Sequence, residues 1–188
     1  PGNTSWHTYE DYARLREWGL TSIRLLVFWN ALEPQAGVVD ETYIDRIEER
    51  VGWARELGLS VVLDLHQDIY SEKYTGDGAP EWACLDEGQP FEPVEPWWLR
   101  NLQPAVRTAW NNFWETPSLQ DHYVDAFSRL VIRFVGGPTV LGYDLMNEPF
   151  GAYTPEEFET VHLRAFYQKV GQRLAVLDYL ISTTAHPT

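Results

Sequence analysis

Two short stretches carry polar groups where strand-like runs stop. In DLHQD, Asp64, His66 and Asp68 alternate, and side chains two apart on a strand share a face, so all three would point to one side. In YDLMNEPFG the same alternation groups Asp144, Met146 and Glu148. Asn147 would face the other way unless the strand ends or bulges there. Pro149 makes an ending plausible, because it donates no ladder hydrogen bond. Polar groups gathered in this way are costly to bury unless they bind a ligand or one another. The chemistry on offer is acid–base work by a carboxyl; the blander alternatives are a hydrogen-bonded structural cluster for DLHQD and a simple turn for Asn-Glu-Pro.

Arg24 lies inside the apolar run IRLLVFW, where an unpaired cation would be strongly destabilising, so an acidic partner is expected. That pairing could be purely structural. A metal centre is poorly supplied, since His66 has no second His at ligand spacing. No metal and no cofactor are assigned. Aromatic residues are abundant, with nine Trp, ten Tyr and eight Phe. Several Trp fall in YTGDGAPEW, EPVEPWW and AWNNFW, and the flat indole faces of residues such as Trp82 and Trp110 suit sugar rings.

These residues need elements to hold them. Thr8 and Asp11 form an imperfect capping box for a helix over about residues 9–18, stopped by Gly19. TSIRLLVFW, residues 21–29, reads as a buried strand. Asp40 caps a second helix, with Ile44, Ile47, Val51 and Ala54 on one face and Gly58 at its end. LSVVLDLH is the next strand. A third helix runs from Ser118 to the Gly136-Gly137-Pro138 break, followed by the strand TVLGYDLMN. Thr154-Pro155-Glu156-Glu157 starts a fourth helix that reaches about Asp178, and YLISTT reads as a fourth strand. Between Tyr70 and Pro117 no clear helix or strand pattern appears, and loops this long are usually functional or disordered. The density of Trp there argues against disorder.

Alternating helices and strands imply an α/β fold with a parallel sheet. A doubly wound sheet or a (β/α)8 barrel would satisfy the order, and no GxGxxG follows a strand, which weakens the nucleotide-binding version. A barrel needs about 250 residues, so these 188 are read as part of one, beginning at the helix after strand one. The absence of an initiator Met fits a piece of a longer protein. With 14 basic against 28 acidic residues and a formal charge of -14, nucleic acid and anionic membrane surfaces are poor partners. The single cysteine, Cys84, leaves the redox compartment open. No apolar run approaches the roughly 20 residues of a membrane span.

The segments WGLTSIRL, LMNEP, DLHQDIYSEKYTGDGAPEWA and YDLMNEPFG resemble glycoside hydrolase family 5, and within it the endoglycoceramidase-like branch. The resemblance implies a partial (β/α)8 TIM barrel, roughly strands 2 to 5, lacking strand 1 and strands 6 to 8. It implies that Glu148 is the general acid/base and that Asn147 binds the sugar 2-hydroxyl. Asp64, His66 and Asp68 would contact sugars flanking the cleavage point, and Arg24 would orient the nucleophile. That nucleophile, a Glu ending strand seven in the family, has no match here, so the chain alone should be inactive. The implied reaction is retaining hydrolysis of a β-glycoside, chiefly between the oligosaccharide and ceramide of glycosphingolipids. Alternatives are a β-glucosidase or endoglucanase acting on soluble glucans or steryl glucosides, or a non-catalytic carbohydrate- or lipid-binding module. Expected partners are the substrate, transient lipid surfaces and the remainder of the polypeptide, and the resemblance suggests secretion. YLISTTAHPT departs from the family pattern.

Overall fold

The computed structural model describes residues 6–184. Helix α1 (Tyr9–Glu17) begins where the Asp11 carboxylate accepts hydrogen bonds from the Thr8 N–H at 2.9 Å and the Thr8 hydroxyl at 3.1 Å. Strand β1 (Ser22–Phe28) runs into a single turn, α2 (Trp29–Leu32). Asp40 then caps α3 (Glu41–Glu56), its carboxylate accepting from the N–H groups of Thr42 and Tyr43 at 2.9 and 3.2 Å. Strand β2 (Ser60–His66) follows. Helices α4 (Pro104–Glu115) and α5 (Pro117–Ile132) each start with Pro in the first turn, where its missing N–H costs nothing. Strand β3 (Val140–Asp144) leads to the three-residue helix α6 (Pro155–Glu157), a π turn (Phe158–Leu163) and α7 (Arg164–Thr184).

Among the described residues the three strands form one parallel sheet in the order β1-β2-β3, and this sheet does not close on itself. Its two faces differ. Leu25, Val27, Val61, Leu63 and Leu65 share the core with Ile44, Ile47 and Val51 of α3 and with Tyr123, Phe127 and Leu130 of α5. The intervening residues turn to the concave side. Register pairs Arg24 with Val62, Leu26 with Asp64, Phe28 with His66, and Asp64 with Asp144. The charged side chains of the sheet are therefore on the face away from the helices, with Asp64, His66 and Asp144 toward the C-terminal strand ends and Arg24 reaching them from lower in β1.

Two expectations fail. YLISTT is the last part of α7 and not a strand. A short apolar run cannot be told from buried helix by pattern alone, and no Pro interrupts residues 158–184. The stretch between Tyr70 and Pro117 also contains a regular helix, α4, whose Ala105, Val106, Ala109, Trp110, Phe113 and Trp114 are all buried. The rest of that stretch includes three short 3-10 turns, Glu72–Tyr74, Glu81–Ala83 and Trp97–Leu102. Side-chain to backbone bonds hold it, among them Tyr70 Oη to the Ala83 carbonyl at 2.9 Å and Asn112 Nδ2 to the Leu85 carbonyl at 2.6 Å.

Candidate active site

Arg24 finds its acidic partner twice over. Its Nη2 lies 2.9 Å from Asp64 Oδ2 and 3.1 Å from Asp144 Oδ2, and donates to Asn147 Oδ1 at 2.8 Å. One guanidinium thus ties all three strands together at their C-terminal ends. Asp64 is fully buried and shares the same oxygen with His66 Nδ1 at 2.8 Å. His66 Nε2 lies 3.5 Å from Asp68. The alternation in DLHQD therefore does place Asp64, His66 and Asp68 together. Asp64 Oδ1 is buried with no hydrogen-bond partner among the described residues, an acceptor still to be satisfied.

The geometry biases two titrations in this group. The Asp64 carboxylate beside its ring raises the His66 pKa above the ordinary 6.5, with smaller help from Asp77 and Asp68 against the opposing cost of burial. Burial raises the Asp77 pKa from its ordinary 3.8, although His66 pulls the other way. His66, Asp68 and Asp77 are also the described residues that could each lend one atom to a cation, with those atoms within 4.8 Å of one another. They already engage one another, since Asp77 Oδ1 accepts the Asp68 N–H at 2.8 Å.

The strand after Asp144 departs from simple alternation. Met146 is buried on the helix side beside Leu65, Tyr123 and Trp110, while Asn147 takes the concave side and reaches Arg24. Regular pairing ends at Asp144, Tyr123 Oη donates to the Leu145 carbonyl at 2.8 Å, and the Asn147 N–H returns to the Leu65 carbonyl at 3.0 Å. The alternation thus slips by one, which corrects the grouping of Met146 with Asp144 and gives Asn147 the access it needs. Glu148 follows with φ +40°, exposed on the rim. Beyond it, Trp114 Nε1 donates to the Phe150 carbonyl at 2.7 Å and Asn111 Oδ1 accepts the Ala152 N–H at 3.0 Å, so α4 fastens the loop that follows.

One residue that alternation hides is Gln67. Its Nε2 donates to the carbonyls of Asn147 and Glu148 at 2.7 and 3.0 Å, and Asn147 Nδ2 donates back to the Gln67 carbonyl at 3.0 Å. The GDG segment has its physical reason here too. A Cβ at Gly76 would lie 1.8 Å from the Asp68 carbonyl oxygen, and one at Gly78 would lie 2.4 Å from Gln67 Cβ. Only glycine lets these two backbones close.

The two tryptophans expected to stack on sugars are not gathered with this cluster. Trp110 is 1% exposed, stacked on Trp114 and set edge-on to Tyr70, so neither indole face is open to a ligand. Its place on the buried face of α4 is the cause. Trp82 is half-buried, donates Nε1 to the Glu33 carbonyl at 3.1 Å, and packs edge-on against Trp29 and His122. It lines a shallow hollow with Pro34, Gln35, Ala36 and Glu81. The exposed indoles of the long insert are Trp97 and Trp98.

Arg24 is thus wired to Asp64 and Asp144 and to an Asn that precedes an exposed Glu. The Cellulase model (glycosyl hydrolase family 5) matches residues 2–174. The chain belongs to glycosyl hydrolase family 5. Endoglycoceramidase I of Rhodococcus hoagii is 36% identical over 144 residues, a match covering 76% of this chain and 29% of that protein. Endo-glycoceramidase II from Rhodococcus sp., solved with a five-membered iminocyclitol, superposes with a TM-score of 0.87 at 42% identity over 91% of this chain and 41% of its own. The same enzyme solved with ganglioside GM3 gives 0.86 at 40% identity, covering 91% of this chain and 42% of that one. An endogalactoceramidase structure gives 0.85 at 30% identity over 95% of this chain and 43% of its own. The three strands and their helices are therefore part of a family 5 (β/α)8 barrel, and the chain spans less than half the length of these relatives.

Proposed function

We propose that the protein carrying this chain is a retaining β-glycosidase that cleaves between the oligosaccharide and the ceramide of glycosphingolipids. The observation that carries this reading is the join at the strand ends, where Arg24 holds Asn147 in place directly before Glu148. In a retaining mechanism two carboxyl groups stand about 5 to 5.5 Å apart across the scissile bond. Glu148 is read as the acid. It gives its proton to the glycosidic oxygen, which leaves with the ceramide, while a second carboxylate attacks the anomeric carbon. Glu148, now ionised, takes a proton from water, and that water displaces the enzyme carboxylate with the original configuration restored. Asn147 holds the 2-hydroxyl of the sugar being attacked, and Asp64, His66 and Asp68 line the sugars on either side. Arg24 orients the nucleophile, which this reading assigns to a Glu outside these 188 residues.

Similarity to endoglycoceramidases, one of them solved with ganglioside GM3, supports the glycolipid as substrate. The test uses the full-length protein. Ganglioside in detergent micelles should yield intact oligosaccharide and free ceramide, and a soluble cellulose derivative should yield nothing. The reverse pattern would replace the glycolipid with a glucan. Glu148→Gln should lower hydrolysis of poor leaving groups by about two to four orders of magnitude while largely sparing the glycosylation step of activated aryl glycosides. Equal losses on both would remove Glu148 from the acid role.

A further inference from the structure

Glu148 stands at φ +40°, left-handed backbone that a residue with a side chain adopts only when its surroundings hold it there. One side-chain amide holds the peptide carbonyls on both sides of it. Gln67 is 8% exposed, and its single Nε2 spends one hydrogen on the Asn147 carbonyl and the other on the Glu148 carbonyl. Its Oε1 accepts the Tyr70 N–H at 2.8 Å, at a residue whose own φ is +69°. This network also fixes the sense of the amide, since the flipped group would set its oxygen against two carbonyls. Gly78 closes the back of the Gln67 side chain, so the amide has little room to move.

We propose that Gln67 is a positioning residue that sets where the Glu148 carboxyl stands over the scissile bond, without touching substrate. This rests on the acid role given to Glu148 above. The carbonyls on both sides of the Glu148 N–Cα–C unit are pinned by the same group. Loss of the amide frees the strained backbone to rotate and carries the carboxyl along the rim. A displacement of about 1 Å in a reacting group costs about a hundredfold in rate. An amide suits the task because it donates twice and carries no charge at any pH.

The experiment compares wild type, Glu148→Gln, Gln67→Met and Gln67→Glu in the full-length protein. The substrates are a natural ganglioside, with a poor leaving group, and a dinitrophenyl β-lactoside, whose aglycone departs without a proton. Both Gln67 variants should lose about ten- to a hundredfold in kcat/KM on the ganglioside, mostly in kcat, and less than about threefold on the aryl lactoside. Gln67→Glu carries a further signature. As the pH falls and the introduced carboxyl protonates, it regains one O–H donor, so its ganglioside rate relative to wild type should rise. Equal losses on both substrates, losses that merely track thermal melts without recovery in acid, or no loss would each overturn the proposal. If wild type cleaves neither substrate, the glycosidase reading itself fails and takes this inference with it. If wild type and Glu148→Gln behave as expected and the Gln67 variants do not, only the role of Gln67 falls.

Discussion

Arg24 Nη2 serves three acceptors at once, and two of them are carboxylates whose mutual repulsion it offsets. Removing it would leave Asp64 buried with one fewer counter-charge, which is costly in a way that losing a surface pair is not. His66 is the other basic group beside Asp64, and its pKa is raised by that carboxylate. A group whose pKa rises on folding stabilises the fold fully below its unfolded value of about 6.5 and loses that contribution as the pH climbs through the folded value. Wild type should therefore lose more thermal stability between about pH 5.5 and about pH 8.5 than His66→Gln does, by a few degrees. Melting curves of both proteins at the two pH values check this. A variant that keeps the full pH dependence would show that the imidazole is not its source.

The loop after β2 and the loop after β3 work as one unit, held by the Gln67 amide and by the close approach of Gly76 to the Asp68 carbonyl. Gly76→Ala must push apart two backbones and should destabilise the protein by about 3 kcal/mol. Gly52→Ala is the control. Gly52 lies inside α3, and a methyl added there would meet nothing within 4 Å, so the same change should stabilise by about 0.5 to 1 kcal/mol through helix propensity. Urea titrations of the two variants should shift in opposite directions, and a shared direction would contradict the steric account. Other elements are legible from local pattern alone. Caps and glycine stops locate α1 and α3, and alternation assembles Asp64, His66 and Asp68. Gln67 escapes because alternation turns it away from its neighbours in HQD, and its partners are backbone carbonyls 80 and 81 residues on, which no local pattern marks. Helix α4 escapes for a different reason. The pairs 105/106, 109/110 and 113/114 repeat every four residues, a helical signal that three tryptophan-rich phrases around it obscure. The same hidden period makes Trp110 look like a sugar platform in the sequence: the face it shares with Phe113 and Trp114 is core.

Across the whole molecule, the helix side is finished and the concave side is not. Val27, Val61 and Leu63 are completely buried beneath α3 and α5, whereas Leu26, on the opposite face of the same sheet, is 38% exposed. An open cleft of about 870 Å³ runs along β1 from Trp18 and Leu20 to Arg24 and Asp77. In a closed (β/α)8 barrel that interior is filled by layers of side chains from every strand. Here β1 and β3 are the edges of the described sheet, and their free backbone groups can template pairing with other chains. The formal charge of -14 opposes such association at low ionic strength, and salt screens that repulsion. The 188-residue chain expressed alone should therefore show no hydrolysis of either ganglioside or an activated aryl glycoside. It should bind a hydrophobic dye through the open face, and it should self-associate more at high salt than at low. Light scattering across a salt series, beside activity assays, distinguishes the outcomes. Dye-silent monomers at high salt would mean that the concave face is covered in some way the sheet order does not reveal. Measurable turnover would mean that this chain supplies both carboxyl groups itself, and would move the search for the nucleophile to Asp64, Asp144 and the other acids around Arg24.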